Sequence, residues 1–265
     1  MKSSRASATR NGAVLAWQVA VGAIAIALWQ TLVTLGVLDA FFVSRPSDIA
    51  QRLSTWVVSG TLWGHLATTL EESLLGLTAG AALGISLGFG FARSPMVARV
   101  FDPYIKMLNA VPRVVLAPLF LLWFGLGIWS KVALGVTLVF FIVFFNVYQG
   151  VKEVSPTVLA NARMLGMNDR QLMRHVYWPS ALSWMFSSLH TSVGFAVVGA
   201  VVGEYLGSAA GLGYLIQQAE GVFDVAGVFA GMFVLAAFVI AIDWLVTLVE
   251  NRLLVWRPVA AETRT

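Results

Sequence analysis

The sequence predicts an all-α membrane protein of six transmembrane helices, and three observations carry that prediction. Hydrophobic residues make up 58% of the 265-residue chain and charged residues 11%, against roughly 45–50% and about 25% in soluble domains. The mean hydropathy is +0.82. The apolar residues also gather in runs of about 20 or more, enough to cross a hydrocarbon core roughly 30 Å thick at about 1.5 Å per residue. Helices are the only reading, since no series of short alternating segments suggests a barrel and unpaired backbone groups cannot face lipid. Soluble, disordered and fibrous classes are excluded. With no cysteine in the chain, disulfides, thiol nucleophiles and cysteine metal sites are excluded too.

Residues 1–12 are expected as a short N-terminal tail, residues 13–252 as the six-helix domain, and residues 253–265 as a C-terminal tail. The spans fall at about 13–35, 66–92, 100–126, 129–150, 181–205 and 225–250. The first follows Lys2, Arg5 and Arg10 and superficially fits an export signal. It is too long for a signal core and no small-residue cleavage site closes it, so it reads as an uncleaved span. The outer segment 36–64 is expected to lie over the external mouth.

Charge sets the orientation. With six spans, both termini and the 2–3 and 4–5 loops share one side. That side collects twelve basic residues: Lys2, Arg5, Arg10, Arg93, Arg99, Lys152, Arg163, Arg170, Arg174, Arg252, Arg257 and Arg264. The other side has Arg45, Arg52 and Lys131, while Lys106 and Arg113 fall within the third span. The positive-inside rule then places both termini in the cytoplasm. The net charge of +4 is explained by topology, without nucleic acid.

Segment 151–177 is the informative loop. Ser155-Pro156 reads as an N-cap with proline at the first helical position, and Gly166 as a C-terminal stop. Asn168 or Asp169 then caps a second short helix ending before Pro179. Val158, Leu159, Ala162 and Leu165 repeat at helical spacing in the first, and Leu172, Met173 and Val176 in the second, opposite Arg170, Arg174 and His175. Two amphipathic helices outside the bilayer make an elbow (155–178) whose apolar faces need a protein partner or the membrane surface.

Ala160–Pro179, ANARMLGMNDRQLMRHVYWP, resembles the cytoplasmic loop motif of permease subunits of ATP-binding-cassette (ABC) importers: EAA, three residues, Gly, nine residues, Ile, one residue, Leu-Pro. Gly166 and Pro179 stand at the right separation, Ala162 fits the last alanine and Val176 the isoleucine. Ala160 replaces the usual glutamate, Asn161 an alanine and Trp178 the leucine, which puts a salt-bridged docking in doubt. LAPLFLLWFGLG (116–127), FFNVYQG (144–150), GEYLGSAAGLGYLI (203–216), Asp102-Pro103 and Val111-Pro112 look like the branch for sulfonates, taurine, nitrate and pyrimidine precursors. The resemblance covers about residues 44–256.

The resemblance implies a type I ABC importer permease fold with cytoplasmic coupling helices in a bacterial inner membrane. It implies coupling to an ATPase subunit through Ala160, Ala162, Arg163, Leu165, Gly166, Arg170, Val176 and Pro179. It also implies a second copy of the chain, two ATPase subunits carrying ATP and Mg, and a binding protein that delivers a small anionic, sulfonate-, taurine- or nitrate-like solute. This chain itself is expected to bind no cofactor or metal and to be no enzyme. Six helices enclose little polar path alone and no second half is evident, which points the same way toward a dimer.

The remaining polar residues leave little room for catalysis. His65, His175 and His190 are scattered, no HExxH is present, and no GxxxxGK[ST] could cradle a nucleotide. The glycines of 80–90 read as close helix packing. Ionisable groups in spans are costly and therefore candidates. Glu71, Glu72, Lys106 and Asp243 read as pairing with one another or snorkelling. His190 stands between that reading and a place on the translocation path, which the family's fifth span lines. Glu204 and Tyr205, before the glycines of 207–213, read as a gate element rather than a ligand contact. A secondary transporter working without an ATPase is the alternative; it would require a coupling ion or inverted repeats, and none is seen.

Overall fold

A computed structural model describes the backbone of residues 2–253 and the side chains of 14–252. Residues 254–265 of the expected C-terminal tail, with Arg257 and Arg264, lie outside the described residues, as do Met1 and the side chains of Lys2, Arg5 and Arg10. Every regular element described is helical: α1 (Lys2–Thr34), α2 (Ala40–Val43), α3 (Pro46–Val58), α4 (Thr61–Arg93), α5 (Pro95–Ala110), a 3₁₀ turn (Arg113–Leu116), α6 (Ala117–Phe124), α7 (Ile128–Lys152), α8 (Pro156–Met164), α9 (Asp169–Leu172), a π turn (Met173–Tyr177), α10 (Trp178–Leu206), α11 (Leu212–Gly221) and α12 (Val225–Leu253). Helix α1 thus begins within the segment expected as the N-terminal tail.

Among the described residues, five continuous helices are long and apolar enough to cross a membrane: Val14–Thr34, Thr61–Arg93, Ile128–Lys152, Asp169–Leu206 and Val225–Arg252. The third expected span, 100–126, is not one helix. It is α5 followed by Arg113–Phe124, bent by 82°. Pro112 explains the break: proline lacks an N–H and crowds the residue before it out of the helical region, and Val111 is extended at φ −67°, ψ 127°.

The second elbow helix also differs from expectation. Instead of stopping before Pro179, α9 continues through the π turn into α10. There Trp178 N–H donates to Met173 C=O, five residues back. The wider turn accommodates a proline in the first turn of α10, where its missing N–H costs least.

The chain divides into two compact units. The first comprises residues 1–62 and 215–233. In it Trp29 meets the edge of Phe229 at 5.8 Å between ring centroids, and Arg52 pairs with Asp224 at 2.7 Å. Ser47 N–H donates to Gln30 Oε1 at 3.1 Å, joining α1 to the start of α3.

The second unit comprises, of the described residues, 63–214 and 234–253. Its centre is α7, with α4 on one side and α10 on another. Gly76, Gly80, Gly84 and Gly88 recur every four residues on α4 and meet Gly135, Val139, Val143 and Val147 of α7. A Cβ added at Gly80 or Gly84 would stand 2.8 Å from the Cβ of Val139 or Val143. Across the other face Gly199 of α10 lies on Gly135, where an added Cβ would sit 2.6 Å from the Gly135 Cα. Small residues let helix backbones approach closely, which is how helices associate where lipid offers no hydrophobic contrast. Gly80, Gly84 and Gly88 of the glycine-rich stretch 80–90 thus form a packing stripe, while Gly90 stands in open space.

Candidate functional site

The elbow is built by two local devices. At the end of α8, Met167 N–H donates to Ala162 C=O (3.1 Å) and Gly166 N–H to Arg163 C=O (2.9 Å). Gly166 sits at φ +80°, the left-handed conformation a glycine adopts without a Cβ penalty. Two residues on, Asn168 and Gln171 cap one another: Gln171 N–H donates to Asn168 Oδ1 and Asn168 N–H to Gln171 Oε1, both at 2.9 Å. Pro156 takes the first position of α8, and the Ser155 side chain makes no cap bond there.

This turn leaves an apolar tip uncovered. Met164 is 85% exposed and Leu165 80%. Ala160, Arg163, Gly166, Arg170 and Arg174 are exposed around it, and Val176 and Pro179 are half-buried. The expected face of Val158, Leu159, Ala162 and Leu165 does not hold as one buried stripe. Only Ala162 is buried, together with Leu172 of α9, while Val158 and Leu165 point outward.

The opposite end of α10 is closed. Glu204 is 1% exposed and its carboxylate accepts from Thr69 Oγ1 and from Gly213 N–H, each at 2.7 Å. Thr69 Oγ1 in turn accepts from Leu212 N–H at 2.8 Å, and His65 Nδ1 from Gly211 N–H at 3.0 Å. The glycine turn after α10 is therefore tied through three successive backbone amides, two of them to α4 (His65 and Thr69) and the third to Glu204 of α10 itself. Lys131, also 1% exposed, donates to the carbonyls of Leu126, Gly127 and Gly207. It thereby joins the ends of α6 and α10 to the start of α7, a cation against helix C-termini. Glu72 is buried within electrostatic range of Glu204 and Lys131; its neighbour Glu71 is exposed. Tyr205 is 40% exposed beside this network.

Charge counting put Lys131 on an outer surface, and no sequence signal linked it to Glu204. His65 and Thr69 gave no such signal either, because their contacts with Glu204, Gly211 and Leu212 join residues distant in the chain.

His190 lies between α10 and α12. Its Nδ1 is 2.6 Å from Asp243 Oδ1 and its Nε2 2.8 Å from Glu250 Oε2. The two carboxylates, seven residues apart, share one face of α12. Asp243 thus pairs with His190, not with Glu71, Glu72 or Lys106. Lys106 pairs with Asp102 at 2.7 Å within α5.

Residues 80–255 match the family described as the binding-protein-dependent transport system inner membrane component, and the chain belongs to that family. It is the permease subunit of an ABC transporter of the importer kind. It is 35% identical to the protein of Bacillus subtilis (strain 168) described as an aliphatic sulfonates transport permease, SsuC, over 89% of this chain and 85% of that one. It is 33% identical to the riboflavin transport system permease protein RibX of Chloroflexus aurantiacus, over 87% and 86%. Escherichia coli TauC, a taurine transport system permease protein, is 29% identical over 90% and 89%. The same fold occurs in a solved amino acid ABC transporter, with a TM-score of 0.58 at 22% identity over 76% of this chain and 97% of that one. It also occurs in the inward-facing MetNI methionine transporter, with a TM-score of 0.56 at 17% identity over 76% and 95%.

Proposed function

We propose that the chain works as a homodimer with two separate ATPase subunits, which bind ATP and Mg, and with a solute-binding protein. It would lie in the bacterial inner membrane with both termini cytoplasmic. The observation that carries this reading is the elbow: a capped, bent protrusion continuous with a 38-residue helix and tipped by Met164 and Leu165. Exposed apolar side chains ringed by Arg163, Arg170 and Arg174 suit a groove on a partner better than solvent. Because α9 runs without interruption into α10, a displacement of the tip is carried directly into the membrane. ATP-driven closure of the ATPase pair would then favour one of two arrangements of the spans.

Ala160, Ala162, Arg163, Leu165, Gly166, Arg170, Val176 and Pro179 serve this coupling. Glu204 holds the glycine turn as a gate element, and His190 holds α12 against α10. The solute is a small anion of the sulfonate, taurine or nitrate kind. The relatives support this class, two of those described carrying sulfonate or taurine in their names.

The test is uptake into proteoliposomes containing permease, ATPase and binding protein. Uptake should require ATP, and His190→Ala should slow it several-fold while the complex still copurifies. Uptake with no ATPase subunit would restore the secondary-transporter reading.

A further inference from the structure

The break in the third span opens a cavity of about 320 Å³ in the second unit, between the end of α5, the 3₁₀ turn, α7 and α10. Arg113 contributes the one charged group among its lining residues, beside the amides Asn109 and Asn146 and the rings Phe141, Phe145 and Phe195. No acidic side chain lines it.

The arginine is held in place. Its Nη2 donates to the carbonyl of Asn109 at 2.9 Å and to the Asn109 side chain. Its guanidinium carbon stands 4.6 Å from the centroid of Phe141. Nε is shielded from solvent and has no hydrogen-bond partner. A buried donor left without an acceptor is destabilising, and an intramembrane cation is expensive even when satisfied. Snorkelling would relieve both costs, yet Asn109 and Phe141 fix this side chain beside the cavity. What the site lacks is an acceptor.

We infer that this cavity binds a small monoanion, a sulfonate or carboxylate on a short apolar or aromatic body. The oxyanion faces the Arg113 guanidinium and the second N–H of the Asn146 amide, whose first donates to Ile142 C=O at 2.8 Å, and the body rests among Phe141, Phe145 and Phe195. Planar guanidinium matches such oxyanions with paired donors, and the absence of acidic groups rejects cations. Binding sites in transporters form where a spanning helix is interrupted, and 320 Å³ lies at the small end of ligand cavities. The inference deepens the importer reading and rests on it for the view that the occupant is cargo.

Binding is tested on the purified permease alone, in phosphatidylcholine nanodiscs, by saturation-transfer NMR with benzenesulfonate as probe and benzyl alcohol as its neutral counterpart. The wild type should transfer saturation to the sulfonate and not to the alcohol. Arg113→Gln should weaken sulfonate binding roughly tenfold, the loss of a charge-assisted contact. Arg113→Lys, which keeps the charge but not the fork, and Asn146→Ala should fall between, and both serve if Arg113→Gln fails to fold. Equal sulfonate signal in folded variants, or equal signal from the alcohol, overturns the site. Loss of the sulfonate signal when phosphatidylglycerol replaces part of the phosphatidylcholine overturns it as well, by making the occupant a lipid headgroup. Neither ATPase nor binding protein is present, so failure here leaves ATP-driven uptake standing, and failure of that uptake leaves this binding measurement standing.

Discussion

Helix α10 has two ends of opposite character. At the Glu204 end the main polar groups are paired within the chain: the carboxylate takes Thr69 and Gly213, and Lys131 takes three carbonyls that helix ends leave over, though Glu72 Oε2 has no hydrogen-bond partner. At the elbow the backbone is equally well finished, by Gly166 and by the Asn168–Gln171 cap, but the side chains are not. Met164 and Leu165 have nothing over them. A region sealed by its own buried polar groups is a hinge point or a gate frame. A region with a rigid backbone and uncovered apolar tips is a surface awaiting a partner.

The sharpest way to break this contrast is Lys131→Met. It removes the side-chain donor from three carbonyls, of which Gly127 keeps another in Ser130 Oγ, and leaves Glu72 and Glu204 without their cation, so it should destabilise the permease by about 3–5 kcal/mol. Thermal unfolding in detergent measures this, and an unchanged midpoint would show that the Glu204 end is not sealed as described. Next comes Leu165→Asp. It should weaken ATPase-subunit copurification by about 2 kcal/mol, more than tenfold, as loss of an interface anchor does. Stability should stay within about 0.5 kcal/mol; a large stability loss would place Leu165 in the fold rather than at an interface.

Gly166→Ala forces a Cβ into φ +80° and should cost about 1 kcal/mol, seen as weaker copurification with little change at the Glu204 end. Smallest is Arg170→Glu, about 0–1 kcal/mol at an exposed position. Its effect on ATPase capture should shrink as salt is raised, because exposed charges are screened; salt-independent loss would mean a packed rather than a peripheral contact.

Most of the architecture was legible because its signals are local. Twenty apolar residues in a row, Pro156 after Ser155, and Gly166 followed by Asn168 each declare a structure within a few positions. The glycine period on α4 was likewise readable as packing, though not its partners. Val111-Pro112 carried the signal for the broken third span, yet apolarity on both sides read as one continuous crossing. The π turn that passes Pro179 was hidden, since proline ordinarily ends a helix and only the wider turn makes it harmless.

The sequence by itself determined how many apolar segments there are, which polar groups lie within them and where the elbow bends, because helix length, charge bias and capping depend on neighbours in the chain. Only the tertiary structure decided that Lys131 is buried, that Glu204 holds a glycine turn to Thr69, and that His190 meets Asp243 and Glu250. Those contacts join residues 50 to 140 positions apart, and nothing in a linear pattern specifies which buried charge will find which partner once three helices are pressed together along their glycines.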